Sequence, residues 1–251
     1  MKNRLRNFTK RLLGIQEQLK YLPNSFSQDS EDEIVEKIFW GKNQGFFVDI
    51  GAHHPVDYSN TYKFYIKGWT GINIDPRPNI MLEFDKIRPK DINLEMGIGD
   101  KQGEEEYYMF DPPGVNTFIK EIALGRNLLN GFKHIETKKV ITNRLVNVFD
   151  KYVGERRIDF LNIDVEGYEM NILNQNDWDR YRPNVIICEM LFQNSNDNPF
   201  PIKSVPGSEF WSLVENLNCF ETHNLLIEKG YGILAKGVGS VIYVNKTGEW
   251  E

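Results

Sequence analysis

Short apolar runs that carry an acidic residue at or near their end recur along this chain, and they predict the strands of a parallel sheet. The runs cover residues 46–50, 71–75, 91–98 and 158–163, and a fifth apolar run follows at 185–188. Helical patterns over 59–67 and 78–86 separate the first three runs. The sequence therefore predicts an α/β fold whose ligand binds at the carboxyl ends of the strands.

Three further regions flank or interrupt this alternation. Apolar residues at steps of three and four predict an amphipathic helix within residues 1–22, and Ser30 and Glu33 have the spacing of a capping box at the start of a second helix. Extended segments at 104–110 and 138–145 surround a helix predicted over 118–129. Near the end, a helix over 210–217 precedes an antiparallel pair at 230–236 and 240–245.

This pattern divides the chain into an N-terminal helical extension, residues 1–40, and a catalytic domain, residues 41–251. The irregular stretch of about residues 101–157 is interpreted as an insertion over the strand ends that binds the substrate. Both cysteines are expected to be buried, reduced thiols, which together with the missing signal-peptide pattern predicts a cytoplasmic protein.

Charge is unevenly distributed within the net value of −6, because the first 20 residues are basic and the rest of the chain is acidic. An acidic body argues against nucleic acid as a partner. The basic segment leaves three interpretations open: a helix packed on its own domain, a homodimer contact, or peripheral contact of residues 1–20 with an anionic membrane.

Acids at four predicted strand ends indicate the cofactor. They are Asp49, Asp75, Asp100 and Asp164. The turn after Asp49 lacks the second and third glycines of a pyrophosphate-binding loop, and its carboxylate would repel a phosphate. A cationic cofactor, S-adenosylmethionine, fits this arrangement better, although each aspartate could instead cap the helix that follows it.

S-adenosylmethionine donates a methyl group to an acceptor, and transfer to a hydroxyl oxygen requires a base that removes the hydroxyl proton. Several side chains in the same loops are candidates for this base. Asp164 is the first candidate, with Glu166 two residues later, and the adjacent imidazoles His53 and His54 are the others. Asp164 and Glu189 end neighbouring strands and could instead bind magnesium. The aromatic residues of the insertion, Tyr107, Tyr108, Phe110 and Phe118, could stack on a sugar ring or a nucleotide base, or build the small core of the insertion. Its basic residues Arg126, Lys133 and His134 could bind a nucleotide diphosphate or be exposed loop charges.

Four segments resemble the motifs of the FkbM-type family of S-adenosylmethionine-dependent methyltransferases: 47–53 (FVDIGAH), 67–76 (KGWTGINIDP), 158–169 (IDFLNIDVEGYE) and 182–189 (RPNVIICE). The resemblance implies a class I, Rossmann-like methyltransferase sandwich with a seven-stranded, mostly parallel sheet whose last strand is antiparallel. It also implies the cofactor-binding residues, which are Gln28, Asp32, Asp49, Gly51, Ala52, His53, Asn60, Thr61, Asp75, Pro76, Ile98, Asp100 and Asp164.

Residues 27–28, 31–32, 51–55 and 59–61 further resemble a subgroup found with enzymes of bacterial surface-polysaccharide assembly, such as capsule synthesis. The implied reaction is O-methylation of a sugar hydroxyl, with a nucleotide-activated sugar or glycan precursor as acceptor. Two alternatives stay open, a nicotinamide-dependent oxidoreductase and a cofactor-binding scaffold without catalysis.

Overall fold

A computed structural model describes residues 25–190, 217–237 and 239–247 of the chain. Within them, helices and strands alternate as the apolar runs predict. The strands are β1 Phe46–Ile50, β2 Thr70–Ile74, β3 Ile92–Leu94, β4 Gly97–Ile98, β5 Gly103–Asp111, β6 Lys133–Asn143, β7 Phe160–Ile163, β8 Val185–Glu189, β9 Tyr231–Lys236 and β10 Ser240–Asn245. The α-helices are α1 Glu31–Ile38, α2 Tyr62–Ile66, α3 Met81–Ile87, α4 Lys120–Arg126, α5 Leu145–Tyr152, α6 Glu169–Asn174 and α7 Glu221–Glu228.

Seven strands form the main sheet in the order β3-β2-β1-β7-β8-β10-β9. Strand β1 lies between β2 and β7, and Val48 is in parallel register with Ile72 of β2 and Leu161 of β7. Strand β10 is antiparallel to both of its neighbours, β8 and β9. The predicted mostly parallel sheet with an antiparallel last strand is thus confirmed.

Both faces of the sheet are covered by other elements. Successive β1 side chains point to opposite faces, so they pack into two different cores. Val48 and Ile50 pack into the larger core, which includes side chains of α5, α6 and α7. Phe47 points the other way, into a core that includes Val35 of α1. Helix α1 is therefore one of the layers that cover the sheet.

An ion-pair cluster fastens α1 to α2. Lys63 of α2 is buried, with 5% of its surface exposed, and it pairs with Glu33 and Glu36 of α1. Glu33 is thereby turned away from the capping box that the sequence predicts, and the Ser30 side chain makes no capping hydrogen bond. The helix start is instead supported by Ser27, whose Oγ accepts from the Asp32 backbone N–H at 3.3 Å.

The insertion forms a second, three-stranded sheet in the order β4-β6-β5. The sequence predicts one strand over 91–98, but the chain turns after β3, where the Met96 N–H donates to the Leu94 carbonyl at 3.0 Å. Strand β4 then pairs with Thr142 and Asn143 of β6. The predicted third strand is therefore split between the two sheets.

Some predictions concern residues outside the described part of the chain. These are the amphipathic helix within 1–22 and residues 210–216 of the predicted helix 210–217. The described residues contain no helix with the length and hydrophobicity that a membrane span requires. Cys188 is a buried, free thiol, as predicted.

Candidate active site

A cavity of about 720 Å³ opens at the carboxyl ends of β1, β2, β7 and β8. This volume lies within the range usual for ligand and cofactor sites. Three predicted strand-end acids, Asp49, Asp75 and Asp164, line the cavity together with Glu189 at the end of β8. The fold has thus brought together acids that are far apart in sequence.

Gly51 permits the close approach of two strand ends at the floor of this cavity. Its φ angle is +83°, and a Cβ atom placed there would lie 1.7 Å from the backbone oxygen of Asp164. The Asp164 N–H also donates to the Ile50 carbonyl at 3.0 Å. Only glycine fits this position without moving the loop that carries Asp164.

Asp49 lies at the centre of a buried polar network. Its carboxylate accepts hydrogen bonds from Thr61 Oγ1 at 2.7 Å and from Asn162 Nδ2 at 2.9 Å. Asn60 Nδ2 donates in turn to Asn162 Oδ1 at 2.9 Å, and the buried Arg88 donates to Thr61 Oγ1 at 2.9 Å. Burial raises the pKa of Asp49, and the hydrogen bonds oppose this effect. Asp49 therefore holds Asn60 and Asn162 in place along the cavity wall.

Asp75 organises the loop after β1. Its two carboxylate oxygens accept from the backbone N–H groups of His53 at 2.9 Å and Arg77 at 2.8 Å. Burial raises the pKa of Asp75. Each carboxylate oxygen has a second lone pair, so Asp75 keeps acceptor capacity for a ligand in the cavity.

The two adjacent histidines have different surroundings. His53 lines the cavity, and loss of water with the nearby charge of Arg77 lowers its pKa to about 4, so it is neutral at pH 7. His54 is not among the residues that line the cavity. Its Nδ1 accepts from the backbone N–H groups of Val56 and Asp57 at 3.2 and 2.8 Å, which fixes the following turn. Of the two, His53 is the one placed to meet a ligand.

Three carboxylates meet where β7 and β8 end. Asp164, Glu166 and Glu189 each offer an oxygen, and these oxygens lie within 4.8 Å of one another. Asp164 is open to the cavity, yet the surrounding protein displaces enough water to raise its pKa to about 7. Loss of water and the neighbouring Asp164 also raise the pKa of Glu189 well above its usual range, and protonated Glu189 donates to Asp164. This cluster can hold a proton or a divalent cation.

The insertion is fastened to this acidic cluster through Glu166. Arg126 of α4 is buried and pairs with the Glu166 carboxylate, while its other terminal nitrogen donates to the Val115 carbonyl at 2.6 Å. Thr117 Oγ1 donates to the Glu166 carbonyl at 3.0 Å. Glu166 itself has a φ angle of +57°. Arg126 is thus neither an exposed loop charge nor a free cation for a diphosphate.

The segment before α1 closes another side of the cavity, which Gln28, Asp29 and Glu31 line. Asp32 is buried beneath them and accepts from Ser25 Oγ at 2.6 Å and from the Phe26 N–H at 2.7 Å. Asp32 therefore shapes the loop that carries Gln28.

Other residues in the predicted cofactor set fall in different places. Ala52, Pro76 and Asn60 line the cavity. Thr61 does not line it, but its hydroxyl donates to Asp49, which does. Ile98 and Asp100 do not line it: Ile98 is part of the larger core, and Asp100 is exposed beyond β4.

Aromatic residues of the insertion divide between two environments. Tyr107 and Phe118 line the cavity, and their ring centroids lie 4.8 Å apart. Phe110 instead packs with Val115 and Ala123 in a small core of the insertion. The sequence left open whether these aromatic residues contact a ligand or build a core. Alternation along β5 places Tyr107 and Phe110 on opposite faces of the strand, so Tyr107 reaches the cavity and Phe110 does not.

Some residues at the cavity were not predicted from the sequence. Glu31 accepts from Ser240 Oγ at 2.6 Å, which joins α1 to β10 at the cavity wall. Asn162 lies between Asp49 and Asn60, and Asn116 lines the insertion side. The polar residue Asn162 inside an apolar strand was the available signal for a site residue.

The strand order, the acid-lined cavity at the strand ends and the single-glycine turn after β1 are consistent with the Rossmann-like methyltransferase fold. In a comparison with protein families, residues 49–226 match the methyltransferase FkbM domain. This match spans more than half of the chain, which therefore belongs to the FkbM methyltransferase family. A comparison with curated protein sequences found no match. The family favours methyl transfer over the oxidoreductase alternative.

Proposed function

We propose that this chain is an S-adenosylmethionine-dependent O-methyltransferase that acts on a sugar hydroxyl in bacterial surface-polysaccharide biosynthesis. The observation that carries the proposal is the convergence of Asp49, Asp75, Asp164 and Glu189 in one cavity. Family membership supports the methyltransferase class. The sugar and the biosynthetic setting rest on the subgroup resemblance of residues 27–28, 31–32, 51–55 and 59–61.

The residues present fit S-adenosylmethionine. Asp75 has free acceptor capacity for the ribose hydroxyls, and the acidic lining suits a cofactor with an ammonium and a sulfonium group. The turn at Gly51 and Ala52 exposes backbone beside the cavity. When bound, the cofactor supplies an electrophilic methyl carbon for in-line displacement by an oxygen nucleophile.

Asp164 is the proposed general base. A base works best when its pKa is close to the working pH, and Asp164, at about 7, meets this condition better than His53, at about 4. Glu189 hydrogen-bonds to Asp164 and would hold its carboxylate in position. His53 lines the same cavity and is the alternative acceptor of the hydroxyl proton.

The alternative to a proton in this cluster is a divalent cation such as magnesium, because Asp164, Glu166 and Glu189 form a compact set of hard oxygen donors. With a cation bound, Asp164 would be a ligand and not the general base. The Glu189 Oε2 atom is buried and has no hydrogen-bond partner among the described residues. Binding of Mn²⁺ to the protein alone, followed by electron paramagnetic resonance, would test this site. Glu189→Gln should weaken the binding, whereas unchanged binding would place the cation elsewhere.

The proposal also retains a cytoplasmic location and, through residues 1–20, either a homodimer contact or peripheral membrane contact. These features rest on the sequence alone. The basic charge and apolar spacing of residues 1–20 support the two alternative contacts.

Calorimetric titration with S-adenosylhomocysteine, with and without magnesium, tests the central proposal, and NAD serves as the control. Binding of S-adenosylhomocysteine without binding of NAD is the expected result. Binding of NAD alone, or of neither compound, would refute the proposed cofactor.

A further inference from the structure

Asn116 presents a buried polar group to the insertion side of the cavity. Only 6% of its surface is exposed, and it lines the cavity. Its Oδ1 accepts from the Phe110 N–H at 2.7 Å, so the orientation of the amide is fixed. Its Nδ2 completes no hydrogen bond with any described residue, although this amide lies close enough to the Tyr107 hydroxyl to oppose the rise that burial causes in the Tyr107 pKa. A buried donor without a partner is uncommon in folded proteins and needs an explanation.

Tyr107 is the polar neighbour of this amide. The Tyr107 side chain lies next to Asn116, packs on Phe118 and also lines the cavity. Burial raises the pKa of Tyr107, so its hydroxyl stays protonated and both donates and accepts. The next wall residues, Pro112 to Val115, add apolar surface. Flat apolar surface with one or two convergent polar groups is typical of a small-molecule subsite.

We propose that Tyr107 and Asn116 form the acceptor subsite and bind an uncharged oxygen of a hydroxylated ring, with the Asn116 amide as donor. This inference rests on the proposed function and narrows its substrate class. It places recognition of the acceptor on the insertion. The neighbouring Gly114 lies next to the His53 ring, where a Cβ atom would be 3.8 Å from its Cε1 atom.

The charge of the cavity favours an uncharged ligand group over a phosphate. Arg126 is the one lysine or arginine among the described lining residues, and it is already paired with Glu166. Besides Glu166, the lining contains six more carboxyl groups, namely Asp29, Glu31, Asp49, Asp75, Asp164 and Glu189. A diphosphate would find no free counter-charge there. The nucleotide part of an activated sugar is therefore not expected to bind at this subsite.

The test follows the side-chain amide signals of Asn116 by NMR in protein labelled with ¹⁵N-asparagine. The protein is saturated with S-adenosylhomocysteine, and EDTA removes metal ions. The neutral probes are methyl α-glucoside, methyl α-mannoside and methyl α-galactoside, and UDP is the charged probe. Asn116→Asp assigns the signals and replaces the donor by an acceptor while keeping the bond from Phe110. Asn127→Asp, the same change at an exposed position of the insertion, is the matched control.

At least one neutral glycoside is expected to shift the Asn116 signals, and UDP is not. Asn116→Asp should weaken that glycoside's affinity by about tenfold or more, measured by calorimetry, while Asn127→Asp leaves it unchanged. The inference is overturned if no glycoside moves the signals, if UDP moves them equally, or if both variants behave alike. Failure of S-adenosylhomocysteine to bind at the outset would instead refute the proposed function, and this inference with it.

Discussion

Replacing Asp75 by alanine should weaken cofactor binding and also destabilise the fold, and the two losses can be measured separately. The carboxylate accepts two backbone N–H groups, of His53 and Arg77, and alanine leaves both donors without their acceptor. Each unsatisfied buried donor costs about 1–3 kcal/mol of unfolding free energy. Loss of the ribose partner should cost a further ~1–3 kcal/mol of binding, a factor of about 5–150 in Kd.

The assay is calorimetric titration with S-adenosylhomocysteine well below the melting temperature of each variant, combined with urea denaturation of the free protein. Asp75→Asn keeps the shape and one acceptor, so both losses should be smaller than with alanine. Asp100→Ala is the control, because Asp100 also follows a predicted strand but does not line the cavity. A destabilised Asp75→Ala protein with unchanged affinity would show that Asp75 only supports its loop and would refute the assignment to ribose.

Three further predictions concern the base, the floor of the cavity and the N-terminal segment. Asp164→Asn should retain cofactor affinity but lower turnover by about 10²-fold or more. Wild-type turnover should rise with pH up to about 7, because the base must be ionised, and Asp164→Asn should abolish this rise. Near-normal turnover of Asp164→Asn would exclude Asp164 as the base. Gly51→Ala should lower the urea midpoint, since its Cβ would lie 1.7 Å from a backbone oxygen, and wild-type stability would contradict this packing. Deletion of residues 1–22 should change oligomeric state in size-exclusion chromatography or binding to anionic vesicles more than turnover, and a collapse of turnover alone would place this segment in the active site.

The central strands could be predicted from sequence because they are buried on both faces and read as continuous apolar runs. Residues 46–50 match β1 fully, and 185–188 differs from β8 by one residue. The run 91–98 looked like one strand because its apolar residues, Ile92, Leu94, Met96 and Ile98, recur at every second position. Its division depends on pairing with Thr142 and Asn143, which lie more than forty residues away. Local patterns do not contain such long-range pairing.

Residues could be grouped from the sequence where the topology alone brings them together. The ends of parallel strands meet at one edge, so Asp49, Asp75 and Asp164 could be grouped from their positions. The roles of the insertion residues could not, because they depend on how the second sheet packs against the first. Arg126 is the clearest example, since its burial and its pairing with Glu166 join segments forty residues apart.

The position of β10 has a consequence for the order in which the protein can assemble. Because β10 lies between β8 and β9, a chain emerging from the ribosome exposes the unpaired edge of β8 until residues 240–245 arrive. Ser240 of this strand also binds Glu31 at the cavity wall. The part of the cavity wall that Ser240 contributes is therefore absent until β10 has paired with β8. During that interval the β8 edge presents unpaired backbone groups with which another strand could pair.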